Sequence, residues 1–442
     1  MLSYRTPLMQ VMVVGLIMFC TSGMYSALIG MGGGGQVDGS AAAESNTALY
    51  ACMAVFGLVA GGLNNLLGPR IVMFIGSLTF AFYISSFLAY NHIQSNTFTV
   101  VAGAILGVGA AMLWTAQGAI MMAYPTRDRK GYFIMVFWVI FNMGGVIGGL
   151  IPFAANYNSS AGAVNDGTYI AFVVLAVAGA VLCLLLASPA TMLRDDGTPV
   201  VIEKSPSIAD EVNGILRTFT DWRMLCMIPM FLSSNWPYSY MFNSVNGFIF
   251  NVRTRGLNNA FFWGAQMAGA FIIGRFFDSP RLSRSNKALY SLVALSITYA
   301  AVWGGGLALQ LQYSRQDPRW NLDFLNSSRA AGPIILYTLY GLFSAFQQTW
   351  CYWVMGAITS GTAVLARYAG FFKSIQAIGA AIAWAIDAGM ASYLSQFIAS
   401  WAIFMIAVPF AIPVTRQIRE SDDAKPVTAP TNYAGSVEES AD

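Results

Sequence analysis

Charge is what this chain has least of. Lys, Arg, Asp and Glu together make up 10% of its 442 residues, against about 25% in an ordinary soluble domain. With 56% hydrophobic residues and a mean hydropathy of +0.58, so much apolar surface cannot be hidden in one water-soluble core. Histidine is nearly absent: the lone His92 excludes a paired-histidine metal site and stands in a predicted outer loop, a poor place for a proton relay. The five cysteines, Cys20, Cys52, Cys183, Cys226 and Cys351, have neither metal nor disulfide spacing and read as packing residues. No metal or cofactor is implied. Walker loops and triad spacings are missing too. Gly30-x-Gly32-x-x-Gly35 formally fits a dinucleotide fingerprint but follows a membrane helix with no strand before it. It reads as a flexible exit from the first helix, and the chain is not read as an enzyme.

What is present is a series of twelve long apolar stretches, near residues 8–30, 48–68, 71–90, 98–124, 131–154, 169–187, 224–250, 258–277, 286–310, 333–358, 364–388 and 391–413. Each is long enough to cross a bilayer as a helix. The first is too long for a secretory leader and is read as a retained helix. Positive charge falls in alternate gaps between the stretches. With both termini in the cytoplasm, all but five of the 23 Lys and Arg residues lie inside; the exceptions are Arg253, Arg255, Arg315, Arg319 and Arg329. Two glycosylation sequons, at Asn158 and Asn326, fall on the predicted outside face. The net charge of +3 therefore speaks for topology, with the lipid bilayer as partner, and not for nucleic acid. Plasma membrane and endomembrane stay open.

The predicted organisation is an all-α polytopic protein with a six-helix half over 1–188, a cytoplasmic linker over 189–223, a second six-helix half over 224–413 and a polar tail over 414–442 expected to be disordered. In the linker, Ile208, Val212, Ile215, Leu216 and Phe219 share one helical face, and Ser207 with Asp210 can cap its start. A short helix lying on the inner membrane surface is expected, with a partner-docking helix as the alternative.

Six plus six helices with a central loop resemble the major facilitator superfamily, which carries a Gly-x-Leu-x-Asp-x-x-Gly-Arg-Arg motif between helices 2 and 3. Here the chain reads Gly61-Gly62-Leu63-Asn64-Asn65-Leu66-Leu67-Gly68-Pro69-Arg70. Asn65 replaces the acid, so a charge latch on this half is expected to be weak. After helix 8 the echo reads Gly274-Arg275-Phe276-Phe277-Asp278-Ser279-Pro280-Arg281, with the acid present. The resemblance implies a major facilitator fold with Gly61, Asn65, Gly68, Arg70, Gly274, Asp278 and Arg281 around a cytoplasmic gate. It also implies that helices 1, 4, 7 and 10 line a central cavity while 3, 6, 9 and 12 sit outside.

A narrower resemblance is to the Unc-93-like family, in particular its fungal members. Its residues are Gly30 to Gly35, Trp114-Thr115-Ala116-Gln117-Gly118, Phe137-Trp138 with Asn142, and the run Ser234-Asn235-Trp236-Pro237-Tyr238-Ser239-Tyr240 continuing through Asn243 and Asn246 to Asn258. The family includes transporters and also membrane proteins that regulate potassium channels or escort innate immune receptors.

Polar side chains inside a bilayer are costly and usually face the bundle interior. The amides of Gln117, Asn142, Asn235, Asn243, Gln347 and Gln348 and the rings of Tyr25, Trp114, Tyr238 and Trp350 are therefore the candidates for a solute cavity. The alternative is that the amides only join helices and the rings only pack. Amides beside rings suit an uncharged or cationic organic solute. Pro229 and Pro237 interrupt helix 7 and give it a place to bend. Asp387 and Asp278 are the only carboxylates placed in spans, both near helix ends, which argues against proton symport. Lys373 and Arg367 are read as snorkelling to the headgroups, and Arg253 and Arg255 either as an outer gate or as a solvated loop meeting lipid phosphate. The leading reading is a small-solute carrier working by alternating access; the alternative is a non-transporting regulator or trafficking partner of a channel or receptor.

Overall fold

The computed structural model describes residues 4–35, 40–155, 157, 165–194, 196–200, 207–325 and 327–418. The sequons at Asn158 and Asn326 and the tail beyond residue 418 lie outside the described residues.

Among the described residues, twelve helical segments build the bundle. They are α1 (Pro7–Gly30), α2 (Ser40–Leu67), α3 (Pro69–Ile93), α4 (Asn96–Ala123), α5 (Lys130–Ala155) and α6 (Asp166–Cys183), then α7 (Trp222–Ser233, resuming at Tyr240–Gly247), α8 (Val252–Asp278), α9 (Arg284–Gln310), α10 (Ala331–Ile358), α11 (Thr362–Ala388) and α12 (Tyr393–Arg416). Local chemistry sets many of the starts. Side chains of Thr6, Asn165, Asp221, Asn251, Ser283 and Ser392 each accept a backbone N–H in the first turn. Between α2 and α3, Gly68 turns the chain at φ +81° and Pro69 opens the next helix.

Among the described residues ten helices are long and apolar enough to span a bilayer. The other two are α7 and α10, and the reason is in their sequences. Pro237 has no N–H to give, and Ser233 and Ser234 turn their hydroxyls back onto the carbonyls of Met230 and Phe231, so α7 opens between Ser233 and Tyr240. Such a break is tolerated at membrane depth because it is buried in protein. Helix α10 carries Tyr337, Tyr340, Gln347, Gln348, Tyr352 and other polar-edged side chains that lower its hydropathy.

The first six helices and the last six each pack as a bundle, and the two halves meet along two seams, α2 on α11 and α5 on α8. Small residues permit the approach. A Cβ on Gly61 would lie 2.7 Å from the Ala366 carbonyl oxygen, and one on Gly274 would lie 2.8 Å from Met135 Cβ. Helices α6, α9 and α12 are the least buried spans, as expected for outer positions. Helix α3 departs from that expectation: it is as buried as α4 and α5, because its Gly76 lets α4 approach so closely that a Cβ there would meet the Gly109 oxygen at 2.6 Å.

The linker helix, Ile208–Thr218, starts on Ser207, whose Oγ accepts the Asp210 N–H at 3.1 Å. Ile208, Val212, Leu216 and Phe219 are exposed on it, while Glu211 and Thr218 are buried against the bundle. An exposed apolar face on a short amphipathic helix is what a membrane surface would cover.

Candidate functional site

A narrow cavity of about 60 Å³ lies where the halves meet, room for a few waters. Tyr25, Trp114, Asn235, Tyr238 and Gln348 of the expected set line it. So does Gln376, another amide placed inside a span, together with Tyr50, Trp138, Trp263 and Lys373, which the sequence reading did not place there. Among its described lining residues, Lys373 is the one charged side chain.

Lys373 corrects the sequence reading most. It does not snorkel; it is 2% exposed. Its Nζ donates to Gln376 Oε1 at 2.8 Å and stands 4.3 Å from the Trp114 ring centre, 4.9 Å from Phe372 and 5.4 Å from Tyr352. Rings expected to suit an uncharged or cationic solute are already occupied by the chain's own ammonium. The sequence did hold a signal. Eleven residues of α11 precede Lys373, about 16 Å of helix, or half the roughly 30 Å hydrocarbon core. From Lys373 a polar relay crosses the cavity wall. Gln376 Nε2 donates to Ser234 Oγ at 2.7 Å and to Gln348 Oε1 at 3.4 Å, and Gln348 Nε2 donates to the Tyr238 hydroxyl at 3.0 Å. The break in α7 supplies two members of this relay, and Asn235 Oδ1 beside it has no partner.

The remaining cavity candidates sit elsewhere. Gln347 Nε2 donates to Ser233 Oγ at 2.7 Å and joins α10 to α7. Asn142 Nδ2 donates to the Trp138 carbonyl on its own helix at 2.8 Å. Gln117 Nε2 donates to Met121 Sδ at 3.4 Å, and its Oε1 accepts from the Tyr352 hydroxyl at 3.5 Å. Trp350 turns away from the cavity and donates its indole N–H to the Ala288 carbonyl of α9 at 3.0 Å. For these residues the helix-joining alternative is what the geometry has. Residue type and depth did not specify which face of the helix would point inward.

Asn243 belongs to the closure above the cavity, on the side of the α1–α2 loop. Its Oδ1 accepts from Gly33 N at 3.0 Å and its Nδ2 donates to Asp387 Oδ2 at 2.7 Å. Gly32 to Gly35 all have positive φ, between 60° and 81°, a run that only glycine adopts readily. The loop is clamped, not the flexible exit expected. Arg255, 3% exposed, donates to the Met31 and Gly32 carbonyls at 2.6 and 2.5 Å. Asn246 and Tyr337 both donate to the Gly30 carbonyl, at 2.9 and 3.1 Å. Arg253 pairs with Asp323 and donates to the Tyr157 carbonyl across the halves at 3.1 Å. Asp387 is held by Arg315 and Gln396.

The opposite end is closed by a second set of bonds between halves. Asp278 accepts the Gly131 and Tyr132 N–H groups at the start of α5, at 2.9 and 2.6 Å, where the positive end of the helix favours a carboxylate. Lys130 Nζ donates to the Gly356 carbonyl at 2.6 Å. On the other seam Asn65 does not leave the latch weak, because the linker helix supplies the missing acid. Glu211 Oε1 accepts from Asn65 Nδ2 at 3.0 Å and from Arg367 Nε at 2.8 Å, and Oε2 accepts from Arg367 Nη2 at 2.7 Å. Arg70, expected at this gate, instead holds the Leu186 carbonyl within its own half. Arg281 is exposed, and its backbone N–H turns back onto Ser279 Oγ at 3.4 Å.

The sequence model of the family described as "Ion channel regulatory protein UNC-93" matches residues 33–259. The chain is 45% identical to UNC93-like protein 1 of Arabidopsis thaliana over 92% of its own length and 90% of that protein. It belongs to the UNC-93 family. An UNC93-like protein of Schizosaccharomyces pombe is 38% identical over 93% of the chain and 83% of its own length. The fold matches the crystal structure of the E. coli fucose:proton symporter FucP with a TM-score of 0.62 at 14% identity, covering 95% of the chain and all of FucP. This is the major facilitator fold, and the chain is a multi-pass integral membrane protein of that architecture.

Proposed function

We propose that the chain is a carrier that moves a small solute by alternating access between its two halves. One observation carries this reading: the central cavity has separate latches between the halves above it, at the glycine loop, and below it, at Glu211 and Asp278. A rigid helix-joining protein has no need of two opposed closures around a central cavity. With both termini in the cytoplasm, as the distribution of Lys and Arg favours, the Glu211 and Asp278 latches form the inner gate and the glycine-loop latch the outer gate. The 1–188 and 224–413 halves then rock about the cavity, and the break in α7 is its hinge.

Cysteine labelling tests this without knowing the solute. Ser26, which lines the cavity, is changed to Cys in a chain whose native cysteines are replaced, and membrane-impermeant maleimide is applied from either side of proteoliposomes. Arg255→Ala is expected to raise labelling from the glycine-loop side and Arg367→Ala from the linker side. Labelling from one side only in both variants refutes the reading.

The family's description as channel-regulatory favours a second reading, a non-transporting partner of a channel or receptor. Purified protein that opens to both sides in turn and carries solute by itself rules out a purely regulatory role.

A further inference from the structure

If the cavity is a carrier site, its chemistry narrows the cargo. The only charge among its described lining residues is the Lys373 ammonium, and the hydrogen-bond acceptor that faces it is one neutral amide oxygen, Gln376 Oε1. A buried ammonium is expensive unless paired with an opposite charge. Ring faces and one amide offset only part of that cost, and an entering cation would add like-charge repulsion in a medium of low dielectric. An entering anion would instead complete the pair. The rest of the wall is apolar and aromatic, including Tyr50, Met53, Phe80, Phe141 and Trp263, which suits a flat or hydrocarbon body.

A second observation points the same way. Above the glycine-loop closure lies a separate hollow of about 300 Å³ lined by Arg255, Arg315, Arg319, Asp317 and Asp387. Among its described lining residues, three cationic groups stand against two carboxylates, and an excess of positive charge in a hollow concentrates anions. Adjacent residues of α7 divide the two spaces, with Asn243 lining the hollow and Phe242 the central cavity.

We propose that the central cavity binds an organic monocarboxylate with an aromatic or apolar body. As closed, the cavity has room for only a few waters, so the solute enters when the halves part: its carboxylate pairs with Lys373 Nζ and its body takes the place of the rings' present contacts around the ammonium. The assignment rests on the carrier reading for the solute's route, but binding can be read separately from movement.

The purified full chain is titrated in detergent with 3-phenylpropionate, indole-3-propionate and octanoate, each beside its alcohol and its amine counterpart, and binding is read by calorimetry and thermal shift. At least one acid is expected to bind about tenfold or more tighter than its alcohol, with the amine weakest. Lys373→Gln is expected to abolish that preference and Lys373→Arg to keep it. Equal binding of the three forms, preference for an amine, no binding by any acid, or a preference that survives Lys373→Gln overturns the proposal. The ranking on the unmodified chain decides even where a variant fails to fold. A chain that prefers the acids but never switches sides in the labelling test keeps this assignment and loses the carrier reading; one that switches sides and prefers amines does the reverse.

Discussion

Glu211→Gln keeps the size of the latch residue and removes its charge. In the structure the carboxylate accepts hydrogen bonds from Asn65 in the first half and from Arg367 Nε and Nη2 in the second. The Glu211 side chain is 3% exposed and that of Arg367 14%, so solvent screens the pair little. Breaking a buried ion pair by removing one partner costs about 3–5 kcal/mol. The amide oxygen still accepts one bond and Arg367 keeps some access to water, so we take about 2–3 kcal/mol. If the latch exists only while the linker side is closed, the closed-to-open ratio falls about 30- to 150-fold. Maleimide labelling of the Ser26→Cys reporter from the linker side should rise by that order until opening is no longer limiting. Labelling from the glycine-loop side should not rise. A variant that loses thermal stability without faster labelling from the linker side would show that Glu211 only packs the linker helix onto the bundle.

Three further outcomes follow from the same geometry. Gly32→Ala places a Cβ 2.5 Å from the Phe242 carbonyl oxygen at φ +78°, a strain of about 1–3 kcal/mol; it should speed labelling from the glycine-loop side and lower Tm. Trp350→Phe loses the bond to the Ala288 carbonyl, about 0.5–1.5 kcal/mol. It should lower stability without altering ligand binding, whereas Trp114→Ala should weaken binding. Asp323 lies in the α9–α10 loop, and its carboxyl is held below the usual carboxylate range by the hydrogen bond from Arg253. A depressed folded-state value means the contribution is present at neutral pH and is lost as pH falls through the acid range below the ordinary carboxylate value. Asp323→Asn should flatten the acid side of a Tm-against-pH profile, and an unchanged acid side would refute the pairing.

The membrane fold was legible because it rests on one-dimensional properties. Length and apolarity of a stretch decide whether it can span, and the Gly61 and Gly274 loops repeat at matching places in the two halves. Legibility failed where a partner comes from far along the chain. Asn65 looked like a missing acid, because nothing near residue 65 reveals that Glu211 arrives 146 residues later. Trp114 and Trp350 were indistinguishable as indoles in membrane helices, yet one faces the cavity and the other faces α9. Asn243 and Gln347 were picked for polarity; the structure sets the first against Gly33 and Asp387 and uses the second to join α10 to α7.

Lys373 marks the division most clearly. Its place halfway along a long helix already follows from counting residues, since rise per residue is a property of the helix alone. That the ammonium stays there, between Trp114 and Gln376, depends on α4 and α11 meeting across the two halves. A lone lysine on an isolated helix would seek the headgroups. Hydropathy acts along the chain and could be read there; pairing acts through space, so only the packed bundle decided what the cavity would hold.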